Sequence, residues 1–200
     1  MDSELTVGGR TALEELGYAH YLGQRREVHL YGSEKPPGWL DALPLDIRFQ
    51  WHNSRRLFPD EAEPQLFTTP DYKPAPLLSG GFMVHGGTMQ WGLRMASAER
   101  ALFQLLDEIP LHETFHQIDK LMEGLTNLSP RRLQQQLATC RSVKVKRLFF
   151  FFADRHHHAW LDMLKKDVVD LGKGKRMLVK GGKLDPAYLI TVPGDLDGVS

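Results

Sequence analysis

The chain predicts an α+β fold: a mixed or antiparallel sheet in the N-terminal half, a helical bundle from about residue 97, and two short strands near the C-terminus. Three observations carry that expectation. Leu45, Ile47, Phe49 and Trp51 alternate with Asp46, Arg48, Gln50 and His52, which is the two-residue period of a half-buried strand. Prolines at 59, 64, 70, 74 and 76 forbid any long regular element in the following stretch. From Ala101 onward apolar residues recur three and four apart, as on one face of a helix. The organisation expected is a single domain, with residues 1–96 as a β-rich lobe and 97–200 as a mainly helical lobe carrying a C-terminal hairpin.

Taken in order, Thr11 is placed to cap a short helix over residues 12–16 that Gly17 ends. Tyr18, His20 and Tyr21 form a loop. Residues 27–31 alternate, with Val28 and Leu30 on one face and Gly32 closing the strand. Pro36, Pro37 and Gly38 make a turn before a short helical segment at 39–43, and the strand at 45–52 follows. The proline-rich excursion holds at most a short edge strand near Leu66 and Phe67. Gly80, Gly81, Gly86 and Gly87 bracket residues 82–84, and Met89, Trp91, Leu93 and Met95 alternate, which predicts a strand pair.

Ser97 is an N-cap for a helix bearing Ala101, Leu102, Leu105, Leu106 and Ile109, stopped by Pro110. Phe115, Ile118, Met122 and Leu125 mark a second helix. Ser129 and Pro130 supply the cap and first turn of a third, with Leu133 and Leu137 on its apolar side. Next comes CRSVKVKRLFFFFADRHHHAW, residues 140–160. Four consecutive phenylalanines, 149–152, are apolar on every side and demand a central position, since each is worth roughly 1.5–3 kcal/mol when buried. Val145, Leu148, Phe149 and Phe152 fall at helical spacing, and the apolar character continues through Trp160, Leu161 and Leu164, so the stretch reads as helix. Glycines at 172, 174, 181 and 182 punctuate two short strands, 176–179 and 188–192.

Of the 200 residues, 42% are hydrophobic, enough for a proper core. The first residues are acidic and polar, and no long apolar window occurs, so a cytoplasmic protein with no membrane partner is expected. The one cysteine, Cys140, excludes an internal disulfide and a cysteine-based zinc site. The net charge of zero conceals a polarity. Residues 131–183 hold 14 Lys and Arg against four Asp and Glu, leaving 11 basic against 21 acidic elsewhere. Such asymmetry points to an anionic partner, nucleic acid being the usual one. The plainer alternative is mutual neutralisation across the fold. Lys144, Lys146, Arg147, Lys173, Lys175, Arg176, Lys180 and Lys183 are the candidate nucleic-acid or partner contacts.

His112, Glu113 and His116 spell the H-E-x-x-H pattern that on one helical face binds zinc with the glutamate as general base. Pro110 puts His112 in the first turn, a poor place for a rigid ligand pair, and the extended pattern lacks its Gly and His at 119 and 122. A zinc hydrolase is thus a remote alternative. His156, His157 and His158 are contiguous, so at most two face one point; they read as surface or interface histidines. Residues 172–176, GKGKR, lack the remaining glycine and the Ser or Thr of a phosphate-binding loop, although a basic hairpin lead-in suits a phosphate backbone. No catalytic residue, metal or cofactor is assigned, and the expectation is a protein that is not an enzyme.

Several segments together carry a resemblance: VGGRTALEELGYAHYL from Val7, LYGSEKPPGWL from Leu30, SAERALFQLLDEIP from Ser97, MEGLTNLSPRRLQQQL from Met122, the stretch from Cys140, and LGKGKRMLVKGGKLDPAYLITVP from Leu171. In this order the chain resembles the AbiEi family of antitoxins from bacterial type IV toxin–antitoxin (abortive infection) systems. The resemblance implies a larger antitoxin domain that opposes a nucleotidyltransferase toxin without a stable complex. It also implies operon autoregulation through promoter DNA, which full-length members bind with an N-terminal winged helix. The sequence starts within what looks like the linker ahead of GGRTAL, so the winged helix is expected to be absent. The family does not carry histidine at the positions of His112 and His116.

Overall fold

The computed structural model describes residues 5–18, 27–44, 47–59, 82–86 and 92–196, with 82–86, 92 and 93 described by their backbone. The expectations for His20, Tyr21, Leu45, Asp46, Leu66, Phe67, Met89 and Trp91 lie outside the described residues. The chain divides into two compact units, residues 1–102 and 103–200, and the boundary falls within a helix.

The first unit is a mixed five-stranded sheet in the order β3-β2-β1-β5-β4. Its elements are β1 (Thr6–Val7), α1 (Gly9–Glu15), β2 (Glu27–Gly32), β3 (Arg48–Asn53), β4 (Phe82–Gly86) and β5 (Gly92–Ala96). Val7 pairs with Leu30 and Met95, and Leu30 with Trp51, so one sheet face is apolar; Thr6, Tyr31 and His52 align across the other. β4 and β5 form the expected antiparallel pair, Phe82 opposite Ala96 and Gly86 opposite Gly92. β1 escaped the sequence reading because two residues are too few for an alternation to register.

Three local expectations need correction. Thr11 does not cap α1: Gly8 occupies the cap position, and the buried Thr11 hydroxyl instead accepts the His29 backbone N–H at 2.9 Å, tying α1 to β2. Gly9 takes a left-handed φ of +54°, and a Cβ there would stand 2.8 Å from the Tyr31 hydroxyl, so this approach requires glycine. Residues 39–43 form isolated turns rather than a helix: Trp39 is 63% exposed, so no apolar face is buried, and Pro44 blocks extension. β3 has no fully buried side. Ile47 is exposed and Phe49, Gln50, Trp51 and His52 are all partly covered, because β3 lies at the sheet edge.

α2 (Ala98–Asp107) starts on Ser97, whose Oγ accepts the Arg100 N–H at 3.3 Å. The second unit continues with α3 (Phe115–Gly124), α4 (Pro130–Thr139) and α5 (Val143–His156). α4 does not run on into α5; the backbone becomes extended at Cys140, and Ser142 caps α5 by accepting from Val145 N–H. All four phenylalanines are buried, as expected, and Phe149 is the hub, with ring centroids 5.1 Å from Phe103, 5.2 Å from Phe150 and 5.8 Å from Trp160. Phe152 meets Phe115 of α3 at 5.9 Å. α5 ends earlier than its apolar content suggests, because His157 turns left-handed and Trp160 returns to donate its indole N–H to Leu125 O at 2.8 Å.

The C-terminal strands are β6 (Lys183–Asp185) and β7 (Ile190–Val192), an antiparallel pair. Two such strands were expected, but residues 176–179 do not form one of them. Only Arg176 bridges to Ile190, while Leu178 and Val179 N–H groups donate to the Thr191 hydroxyl. The turn between β6 and β7 is held by Asp185, which accepts the Tyr188 N–H at 2.7 Å. No helix among the described residues is long and apolar enough to cross a membrane.

Candidate functional site

The basic residues nominated from the sequence separate into two groups. Two of those on α5, Lys144 and Arg147, are engaged within the fold. The Lys144 ammonium donates to Asp107 O and, at 3.0 Å, to Ile109 O, and it pairs with the Asp107 carboxylate at 3.1 Å, so it caps the C-terminus of α2. Lys146 is buried. Arg147, 2% exposed, donates from Nε to Leu171 O and from Nη1 to Gly174 O, both at 2.7 Å, and reaches Leu189 O at 3.5 Å. Burial and the nearby Arg176 charge both pull its pKa below the usual arginine value.

Arg147 thereby shapes the segment that carries the second group. The loop touches down where Gly172, at φ +62°, packs against Val143; a Cβ there would be 3.2 Å from both Val143 methyls. From this anchored point Lys173, Lys175, Arg176 and Lys180 project into solvent, and among the described residues none of the four forms an ion pair. Lys183, on β6, is exposed but has an interaction partner. A run of unpaired cations on an irregular loop raises local positive potential and suits contact with a polyanion.

The two histidine patterns are dispersed by the fold. α3 begins at Phe115 with Thr114 as its cap, so His112 and Glu113 precede the helix and only His116 lies on it. The H-E-x-x-H pattern therefore does not present two imidazoles from one helical face. His116 faces Asp195 at 3.6 Å, and Glu113 is buried. In the triplet, His156 bonds Asp119 at 2.9 Å, His157 is the left-handed cap, and His158 donates from Nε2 to Met122 O at 2.6 Å.

Sequence reading missed three polar clusters. Asp119 binds both His156 and Arg155, the latter through Nε at 3.0 Å and Nη2 at 3.3 Å. Asp154 accepts from Tyr188 and, at 3.3 Å, from Lys166, whose ammonium lies over the Tyr188 and Phe150 rings. In the first unit His29 Nδ1 meets His52 Nε2 at 3.0 Å, and the His52 ring stacks on Tyr31 with centroids 4.7 Å apart. All three join residues distant in sequence, so no spacing announces them. The β2 and β3 alternation does place His29, Tyr31 and His52 on one face.

A family model described as "Transcriptional regulator, AbiEi antitoxin, Type IV TA system" matches residues 25–193. No curated protein gives a significant match. Among solved structures, the crystal structure of the RV2827C protein from Mycobacterium tuberculosis is similar, with a TM-score of 0.54 and 14% identity over 96% of this chain. The match spans 63% of that protein's length, and at this identity the likeness is one of fold.

Proposed function

The chain belongs to the AbiEi antitoxin family of transcriptional regulators in type IV toxin–antitoxin systems, and from that premise we propose that residues 1–200 act as a single antitoxin domain opposing a nucleotidyltransferase toxin. The match over residues 25–193 carries this reading, because it covers elements from β2 to β7 rather than one motif. The role assigned is non-enzymatic and cytoplasmic, with no cofactor. It needs no stable complex with the toxin. Co-expression with its cognate nucleotidyltransferase toxin should restore growth of arrested cells. Continued arrest with soluble antitoxin present rejects the proposal.

A second reading concerns operon regulation. The four exposed cations of the Arg147-anchored loop, none in an ion pair among the described residues, favour direct contact with promoter DNA or another nucleic acid. Arg147 then contributes by holding that loop and Lys144 by fixing α5 against the end of α2, not by touching phosphate.

A further inference from the structure

Between the C-terminal half of α5 and the β6–β7 hairpin lies a cavity of about 290 Å³. Phe151, Tyr188 and Val192 line it, together with Asp154, Arg155 and Asp185. All three β6 residues line it. Side chains of a strand alternate between faces, so the cavity runs along the edge of β6 rather than beneath one face.

That edge is open. The Thr191 N–H donates to Arg176 O at 3.0 Å, away from β6. Leu184, opposite Thr191 in the register, therefore occupies a non-hydrogen-bonded pair, and its own N–H and C=O point outward. An unpaired strand edge offers its outward N–H and C=O to an extended chain.

The charges select what that chain carries. Arg155 is engaged by Asp119 and by Leu196 O, Lys183 has a partner of its own, and Asp154 is taken up by Lys166 and Tyr188. Asp185 uses Oδ1 for the Tyr188 N–H and forms no ion pair among the described residues, leaving its second oxygen to accept. The cations lining the cavity are thus engaged, and the Asp185 carboxylate is the lining charge with no ion pair among the described residues. An aliphatic stem over Phe151, Tyr188 and Val192 ending in a cation matches this arrangement.

We propose that the β6 edge and its cavity form a docking site for an extended peptide segment of a partner protein, with its backbone paired to Leu184 and an arginine side chain seated in the cavity against Asp185. The site stands independently of whether the chain neutralises a toxin. A fluorescein-labelled pentapeptide of alternating threonine and valine with a central arginine tests it by anisotropy on the full chain, against the same peptide with central glutamate. The arginine peptide should bind about tenfold more tightly. Asp185→Asn, which keeps the acceptor for Tyr188, should erase that preference. Leu184→Pro, which removes the outward N–H at an edge position that tolerates proline, should weaken both peptides. Free agmatine, a guanidinium without a peptide backbone, should compete poorly. Equal binding of the two peptides, no saturable binding at millimolar peptide, an unaltered Leu184→Pro variant, or agmatine competing as well as unlabelled peptide would each overturn the proposal.

Discussion

Asp119 accepts from two side chains of α5 at once, Arg155 and His156, and is itself only 19% exposed at its side chain. Burial alone would raise its pKa. The hydrogen bonds and charges of Arg155 and His156 outweigh it and hold the carboxyl below the ordinary aspartate value. A folded-state pKa below the unfolded one stabilises the fold fully above the unfolded value, near 3.9, and that contribution is lost as pH falls through the folded pKa. Asp119→Asn should therefore lower stability at pH 7 by roughly 1–2 kcal/mol, the scale of hydrogen bonds to charged groups at a partly exposed site. As pH falls from about 4 through the lowered folded pKa the two proteins should converge. Urea midpoints measured from pH 7 to pH 2 check this, and a constant gap across the range would show that the carboxylate charge is not what Arg155 and His156 recognise. The sequence contains no trace of this cluster: Asp119 and His156 are brought together only because Phe115 and Phe152 pack α3 on α5.

At the scale of the element, α5 shows which parts of a helix its own residues announce. The interior was legible, since spacings of three and four from Val145 to Phe152 describe a buried helix. Its ends were not. The apolar run through Leu164 suggested continuation, yet the chain leaves the helix at His157, φ +47°, where glycine is the usual occupant. Polarity also misled at the other end, because Lys146 and Arg147 looked like surface cations and are buried, Arg147 satisfied by carbonyls from residues 24 or more positions away. Likewise β6 gave no signal, because Lys183, Leu184 and Asp185 are too few for an alternation to register, and the apolar run at 176–179 suggested a strand there instead. The left-handed cap yields a prediction. His157 is exposed and left-handed backbone is costly for any residue with a Cβ. His157→Gly should raise stability by about 0.5–1 kcal/mol, after allowing for the added freedom of the unfolded chain. An unchanged or lower urea midpoint would mean that the imidazole contributes more than the backbone strain removes.

For the molecule as a whole, the question is whether the excess of 14 basic over four acidic residues between 131 and 183 is neutralised internally or presented outward. Part is neutralised: Lys144 pairs with Asp107, Arg155 with Asp119 and Lys166 with Asp154, and Arg147 is spent on backbone carbonyls. Lys173, Lys175, Arg176 and Lys180 remain exposed without an ion pair among the described residues. Internal contacts therefore account for Lys144, Arg147, Arg155 and Lys166 but not for the loop. Each phosphate neutralised on duplex DNA adds about 0.9 to the slope of log affinity against log salt concentration. Replacing all four loop cations by glutamine should then flatten that slope on the chain's own promoter fragment by roughly 3 to 4, measured between 50 and 200 mM salt. Lys35→Gln, an exposed change in the first unit, should leave the slope unaltered. A quadruple variant whose slope falls by less than about one would remove the loop from the nucleic-acid interface, because at most one phosphate contact would then depend on it.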